Sequence, residues 1–138
     1  ICIASDHAGF NLKEHIKDFL ISKNVSIIDL GPINENSVDY PDYAKKVSKR
    51  VKSKKSDAGI LVCGSGTGMA ISANKTKGIR ASVCYNLKST RLSRQHNDAN
   101  IIALGSRLTK KKTAIKLVSI FFETKFEGGR HLRRVKKI

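Results

Sequence analysis

Short apolar runs rich in β-branched residues alternate along the chain with stretches in which apolar residues recur every three or four positions. The first pattern is typical of buried strands, and the second of helices that pack one face against a sheet. Strands are predicted at residues 1–5, 25–30, 58–63, 80–85 and 100–104. Helices are predicted at about residues 10–23, 42–54 and 87–96. Another is predicted from the glycine-rich loop at 64–68 through about residue 75, and a last one, capped by Thr109, reaches about residue 122. This order predicts an α/β fold, a three-layer α/β/α sandwich around a five-stranded parallel, Rossmann-like sheet.

Chemically capable side chains follow three of the predicted strands at the point where each strand ends. Asp6 and His7 follow the first strand, Cys63 ends the third, and Arg107 follows the fifth. Parallel α/β sheets bind their ligands at the carboxyl ends of the strands. We therefore expect these residues to lie near one another at that edge.

The length and composition favour a single globular domain spanning residues 1–138, with a basic tail at 127–138. The chain has 40% hydrophobic and 28% charged residues, so it can bury a core and still present a polar surface. No apolar run approaches the roughly 20 residues that cross a bilayer, and no signal peptide is visible, so no membrane partner is expected. Three scattered cysteines indicate reduced thiols and a cytoplasmic location.

The net charge is strongly positive, because 27 Lys and Arg stand against 11 Asp and Glu, giving +16. Basic runs can bind nucleic acid through phosphate contacts, so a basic nucleic-acid-binding module is one alternative. Only 6% of residues are aromatic, and no nucleic-acid-binding motif accompanies the charge. A solvated lysine-rich surface is the favoured interpretation, without a nucleic-acid partner.

The loop after the third strand, Cys-Gly-Ser-Gly-Thr-Gly at 63–68, has the features of an anion site. Glycines let backbone amides approach a ligand, and the helix N-terminus behind them favours negative charge. The spacing is not that of a dinucleotide fingerprint, and residues 58–97 contain no Asp or Glu to hold a ribose. No Lys-Ser or Lys-Thr closes a phosphate loop of the nucleotidase type. A smaller anion or a developing oxyanion fits this loop best.

Cys63 stands where the strand meets this loop, and the following helix favours its thiolate form, which makes it a candidate base or nucleophile. The alternative is that Cys63, like Cys2 and Cys84, is a small buried hydrophobe. The cysteines and histidines lack the spacing of a zinc site, so no metal is expected.

Other candidate residues have ordinary structural alternatives. Asp6 could cap the next helix, and His96-Asn97 could be a helix C-terminus. Arg130 and Arg134 are four residues apart, so one helical face would present both guanidinium groups to a phosphate. A solvated tail is the alternative for this pair.

Eight segments together resemble one known family and keep their order over the whole chain. They are Ser-Asp-His-Ala-Gly-Phe (5–10), Asp-Tyr-Pro-Asp-Tyr-Ala (39–44), Cys-Gly-Ser-Gly-Thr-Gly (63–68), Ala-Asn-Lys (73–75), Gly-Ile-Arg-Ala (78–81), Leu-Ser-Arg-Gln-His-Asn-Asp-Ala-Asn (92–100), Leu-Gly-Ser-Arg (104–107) and Phe-Glu-Gly-Gly-Arg-His (126–131). The chain resembles the type B ribose-5-phosphate isomerases, in the family that also holds the galactose-6-phosphate isomerase subunits.

The resemblance implies an enzyme that interconverts ribose 5-phosphate and ribulose 5-phosphate without a cofactor. It implies that Cys63 moves a proton between C2 and C1 through a cis-enediolate, and that His96 assists opening of the furanose ring, with Asp6 nearby. Amides of the loop and two hydroxyls would hold the enediolate oxygens: Gly64, Ser65, Gly66, Thr67 and Gly68. The phosphate would be bound by His7, Arg107, Arg130 and Arg134. Asn97 and Tyr40 would contact sugar hydroxyls or frame the pocket.

The resemblance also implies a homodimer with shared active sites, and a dimer of dimers stays open. His96, Asn97 and Arg107 would reach in from the partner. Within the same chemistry, galactose 6-phosphate and allose 6-phosphate remain alternative substrates.

Overall fold

The computed structural model describes residues 1–138 as five strands and six helices. The strands are β1 (Cys2–Ser5), β2 (Ile28–Asp29), β3 (Gly59–Cys63), β4 (Ala81–Val83) and β5 (Ile101–Gly105). The helices are α1 (Phe10–Ser22), α2 (Tyr40–Lys52), α3 (Thr67–Asn74), α4 (Leu87–Asn97), α5 (Lys111–Glu123) and α6 (Gly129–Val135). None of these helices combines the length and apolar character that a membrane span requires.

All five strands are parallel and lie in the order β2-β1-β3-β5-β4. Helices cover both faces, so the predicted three-layer Rossmann-like sandwich is confirmed. The chain leaves β1 toward one edge and returns through β3 toward the other. The crevice between β1 and β3 is therefore the switch point, where sheets of this type bind ligands.

Each face of the sheet has its own hydrophobic core. One core packs α1 and α5 on the sheet, with Ile16, Leu117 and Phe121 among its buried side chains. The other packs α2 and α3 on the opposite face, with Val47 and Met69 among its members. Strand residues alternate between the two cores, so β3 and β5 are apolar at almost every position and buried throughout.

The two strands at the edges are shorter than the apolar pattern predicts. β2 contains two residues and β4 three, although the pattern extends over residues 25–30 and 80–85. Each edge strand has a single neighbour, so fewer of its residues join the hydrogen-bonded ladder. Helix α2 begins at Tyr40, two residues earlier than predicted, because Pro41 lies in its first turn.

The prediction that Thr109 caps the last large helix is wrong. Lys110 occupies the N-cap position of α5, with no side-chain capping bond. The Thr109 hydroxyl is instead buried without a hydrogen-bond partner. Beyond α5 the tail forms α6, which packs against α4 and includes Arg130 and Arg134 on one short helix.

Candidate active site

The loop between β3 and α3 directs a backbone amide at the sulfur of Cys63. The Gly66 amide donates a hydrogen bond to Cys63 Sγ over 3.1 Å. Gly66 has a φ of +80°, a left-handed conformation that side-chain-bearing residues rarely adopt. The glycine is therefore what turns this amide toward the sulfur, and the amide dipole stabilises negative charge there.

The loop after β5 lies against the glycine-rich loop of the same chain. The Ser106 amide donates to the Cys63 carbonyl (2.8 Å), and the Arg107 amide donates to the Gly64 carbonyl (3.1 Å). These bonds place the Arg107 guanidinium beside Gly64, where an added Cβ would lie 3.2 Å from it. The expectation that Arg107 reaches in from a partner is therefore wrong. Because β5 lies next to β3, each chain supplies its own Arg107.

A cavity of about 280 Å³ opens at the switch point between β1 and β3. Cys63 is only 4% exposed, and it belongs to a hydrophobic core while also lining this cavity. The cavity thus combines a thiol, a carboxylate and a guanidinium. Its lining residues are Asp6, Tyr40, Cys63, Gly64, Ser65, Gly68, Arg107 and Leu108.

Asp6 and His7 follow β1 on the other side of the switch point. Asp6 Oδ1 accepts the Gly9 amide over 2.8 Å, so this carboxylate supports the start of α1 and also lines the cavity. His7 Nδ1 accepts the Val38 amide over 3.3 Å. That bond leaves Nε2 as the nitrogen that carries the proton in the neutral ring, so His7 offers a donor to an anion.

Two exposed hydroxyls, those of Ser65 and Thr67, lie where the glycine-rich loop meets α3. Ser65 Oγ accepts the Thr67 amide over 3.3 Å and lines the cavity. The Thr67 hydroxyl lies 3.5 Å from the Tyr85 hydroxyl and does not line the cavity. The structure therefore brings Ser65 to the sulfur more directly than it brings Thr67.

A second group of predicted residues lies on α4 and α6, away from this cavity. None of its members lines the cavity beside Cys63: His96, Asn97, Arg130 and Arg134. The His96 and His131 rings stack with centroids 4.2 Å apart, and Glu127 Oε2 lies 3.9 Å from His96 Nε2. One chain thus carries two separate parts of the predicted site.

Glu127 and His131 join this second group although the sequence did not single them out. Glu127 Oε2 lies 3.8 Å from His131 Nε2. Their spacing of four residues was the available signal, although Glu127 lies just before α6 and only His131 lies within that helix. Their meeting with His96 depends on the packing of α6 against α4, which no local pattern shows.

Cys2 and Cys84 are core residues, as the sequence predicted. Each is 0% exposed and belongs to a hydrophobic cluster. Burial raises the pKa of both thiols, which keeps them protonated and unreactive. Cys63 is the cysteine that faces a cavity.

A larger cavity of about 550 Å³ opens at the opposite, amino-terminal edge of the sheet. Three of its charged groups pair with one another, because Asp98 forms ion pairs with Arg80 (3.1 Å) and Arg94 (2.9 Å). It lies at the edge where parallel sheets do not bind their ligands. The smaller cavity at Cys63 is therefore the candidate active site.

The fold and this cavity define the class: a Rossmann-like α/β protein with a small-molecule site at the switch point of its sheet. The chain belongs to the ribose/galactose isomerase family, whose sequence model matches residues 1–138. The family predicted from the eight sequence segments is confirmed.

Individual relatives resemble the chain over nearly its full length. Ribose-5-phosphate isomerase B of Escherichia coli is 44% identical over 138 residues, which cover 100% of this chain and 93% of that protein. The structure of ribose-5-phosphate isomerase B from Clostridium thermocellum has a TM-score of 0.98 at 49% identity, covering 99% of this chain and 92% of that one. The structure of ribose-5-phosphate isomerase B from Mycoplasma genitalium with bound ribulose-5-phosphate has a TM-score of 0.94 at 43% identity. The match covers 99% of this chain and 91% of that one.

Proposed function

We propose that this protein is an aldose-ketose isomerase that interconverts ribose 5-phosphate and ribulose 5-phosphate. The observation that carries the proposal is the Gly66 amide directed at Cys63 Sγ, inside a cavity that also holds Asp6 and Arg107. Proton transfer beside a carbonyl needs a base and nearby donors for the oxygen that gains charge, and this cavity offers both. The names of the E. coli and M. genitalium relatives support the same substrate pair.

In the proposed reaction, Cys63 acts as the base. The thiolate removes the proton from C2 of the open-chain aldose, and the electron pair forms the C1–C2 double bond while charge moves onto the C1 oxygen. The C2 hydroxyl proton passes to the C1 oxygen, which becomes the C1 hydroxyl, and the negative charge moves to the C2 oxygen. The resulting cis-enediolate takes the abstracted proton back from the thiol at C1, and the C2 oxygen becomes the ketone carbonyl. Substrate and product therefore have the same atoms, and Cys63 returns to its starting state.

The glycine-rich loop stabilises the charge that develops on the substrate, and the basic residues bind its phosphate. The amides of Gly64 and Gly68, with the hydroxyls of Ser65 and Thr67, stabilise the enediolate oxygens, while the Gly66 amide stays on the Cys63 sulfur. The phosphate is held at a distance from the reacting carbons, so that binding energy serves orientation. Its proposed ligands are His7, Arg107, Arg130 and Arg134, while Tyr40 and Asn97 contact the sugar or frame the pocket.

We further propose that the active enzyme is a homodimer, or a pair of homodimers, with shared sites. His96 would open the furanose ring from the partner chain, with Asp6 nearby. The separation of α4 and α6 from the Cys63 cavity supports this arrangement, as does exposed apolar surface at the cavity, where Leu108 is 64% exposed. The single domain would then contribute its tail, residues 127–138, to a neighbour's phosphate site.

The proposed location is the cytoplasm. Cys2, Cys63 and Cys84 are all unpaired, and free thiols persist in reducing compartments.

An isomerase assay on the purified protein tests this function. In chelator-treated buffer, ribose 5-phosphate should be converted to ribulose 5-phosphate. Cys63→Ala should lower kcat by about 10²–10⁴-fold, the usual contribution of a positioned base. Binding of ribose 5-phosphate, measured by calorimetry, should survive the substitution.

Cys84→Ala is the matched control, because it removes a second buried thiol that lies outside the cavity. If Cys63→Ala turned over substrate at the wild-type rate, the assignment of Cys63 as the base would be wrong. Galactose 6-phosphate and allose 6-phosphate should be offered side by side with the pentose phosphate. Faster turnover of a six-carbon sugar would overturn the substrate assignment while keeping the chemistry.

A further inference from the structure

Three potential metal ligands meet where the tail packs against α4. The ligand atoms of His96, Glu127 and His131 all lie within 4.8 Å of one another. Glu127 Oε2 is nearly equidistant from the two imidazoles, at 3.9 Å from His96 Nε2 and 3.8 Å from His131 Nε2. All three residues belong to one chain, so the cluster is complete without a partner.

We propose that His96, Glu127 and His131 form a binding site for Zn²⁺ or a chemically similar divalent transition-metal ion. Two imidazole nitrogens and one carboxylate oxygen are a ligand set that zinc accepts, with water completing a tetrahedron. Mg²⁺ and Ca²⁺ prefer oxygen ligands and are poorly matched to this set.

The side chains are close enough to bind one ion but must reorient to do so. Ligand atoms around tetrahedral zinc lie about 3.4 Å apart when the bonds are about 2.0–2.1 Å long. The two imidazole planes are now 7° apart, so the rings must rotate about Cβ–Cγ to aim their lone pairs at a common point. The His131 side chain is 9% exposed and fixes the site, whereas those of His96 (37%) and Glu127 (47%) can turn toward it.

The surrounding charges act in two directions. Partial burial and the positive charges of His96 and Arg130 lower the pKa of His131, with a further contribution from Arg134, while Glu127 opposes them. The same arginines repel a cation, so bonds to nitrogen must provide the affinity, which favours Zn²⁺, Cu²⁺ and Co²⁺ over harder ions.

A bound ion would also affect the proposed reaction, and this consequence rests on the proposed function. His96 cannot exchange a proton with the sugar ring while its lone pair binds metal. The cluster therefore makes the isomerase sensitive to inhibition by transition metals, with release by a chelator.

Cobalt binding tests the site without using activity. Chelator-stripped protein should bind about one Co²⁺ per chain and develop the visible absorption of a four- or five-coordinate N/O site. Zn²⁺ should displace the Co²⁺ and abolish this spectrum. Glu127→Gln and His131→Ala should each weaken binding by about tenfold or more. Because Glu127 is exposed, Glu127→Gln should keep the fold even where His131→Ala does not.

Two control variants separate this site from other ligands. His15→Ala removes a histidine of α1 that lies outside the cluster, so it should bind Co²⁺ as the wild type does. Cys63→Ser removes the competing thiol and should leave the spectrum unchanged. A thiolate charge-transfer band that Cys63→Ser abolishes would place the metal at the sulfur and overturn the proposal. Equal affinity of the wild type and Glu127→Gln for Co²⁺ would also overturn the proposal.

Activity provides a second, separable readout. Zn²⁺ should inhibit wild-type turnover, and a chelator should restore it, while Glu127→Gln should need about tenfold more Zn²⁺ for the same inhibition. Metal binding without inhibition would keep the site and contradict the role of His96. Inhibition that is equal in the wild type and Glu127→Gln would contradict the site.

Discussion

At the scale of single residues, Gly66 links backbone conformation to the chemistry of the sulfur. An alanine there would adopt the left-handed region at φ +80°, and its Cβ would lie 3.0 Å from the Leu104 carbonyl carbon. We expect Gly66→Ala to lower the free energy of unfolding by about 2–3 kcal/mol, through conformational strain and crowding. It should also lower kcat, because the amide moves away from Cys63. Urea denaturation and steady-state assays measure the two effects.

Gly78 provides the matched control for this substitution. It also has a positive φ, +85°, but an added Cβ would meet nothing within 4 Å. Gly78→Ala should therefore show the strain alone, about 1 kcal/mol, with kcat unchanged. If Gly66→Ala behaved like Gly78→Ala in both measurements, the amide on the sulfur would have no catalytic importance.

Sequence predicts the chemistry of individual residues better than their placement. Cys63 and its loop could be found because strand, glycines and helix follow one another along the chain. Arg107 was assigned to the wrong subunit, because its position depends on β5 lying next to β3. Glu127 and His131 were missed, because they reach His96 only when two helices distant in sequence pack together.

At the scale of elements, an ion pair between a buried lysine and a partly exposed aspartate links α1 to the edge strand β2. Lys13 is 0% exposed, and its ammonium donates to both carboxylate oxygens of Asp29, at 2.9 and 2.8 Å. It also donates to the Pro32 carbonyl and pairs with Glu14. We expect Asp29→Asn to destabilise the protein by roughly 2 kcal/mol, because a buried cation loses one of two counterions. Asp18→Asn, on the exposed side of α1, is the control and should change stability little.

The same pair gives stability a defined pH dependence. Burial raises the pKa of Asp29, but hydrogen bonds from Lys13, the Gly31 amide and Lys17 outweigh it and hold the pKa below its usual range. A lowered pKa in the folded state stabilises the protein above the unfolded-state pKa of about 3.9, and that contribution is lost as the pH falls through the folded-state value. Denaturation of wild type and Asp29→Asn from neutral to acidic pH should show their difference shrinking below about pH 4. A difference independent of pH would contradict this linkage.

Helices and strands are predicted well where their buried side chains recur at a regular spacing. Their ends are predicted poorly, because a single contact can determine where an element begins or ends. The helical faces around Ile16 and Val47 were visible because each buries a stripe of side chains. Thr109 was misassigned, because a capping residue is fixed by the path of the loop before the helix, and here that path buries the hydroxyl. β2 was overestimated because apolar residues near an edge can pack without pairing.

At the scale of the whole molecule, the division of the site into two groups makes a prediction about pairing. Cys63→Ala and His96→Ala should each be nearly inactive. If sites are shared between chains, unfolding and refolding the two variants together should restore about a quarter of wild-type activity, since half of randomly paired dimers are mixed and each has one intact site of two. Cys63→Ala unfolded and refolded alone is the control. Recovery no greater than the sum of the separate variants would show that each chain completes its own site.

The position of the three central strands has a consequence for how the molecule tolerates heat. Sheets fray from their margins inward, and here the margins are the short strands β2 and β4. Cys63 ends β3, and Asp6 and Arg107 follow β1 and β5; these three strands lie between the two edge strands. Local unfolding of either edge strand therefore leaves Asp6, Cys63 and Arg107 in their relative positions. The cavity should keep its shape during the first stages of thermal unfolding.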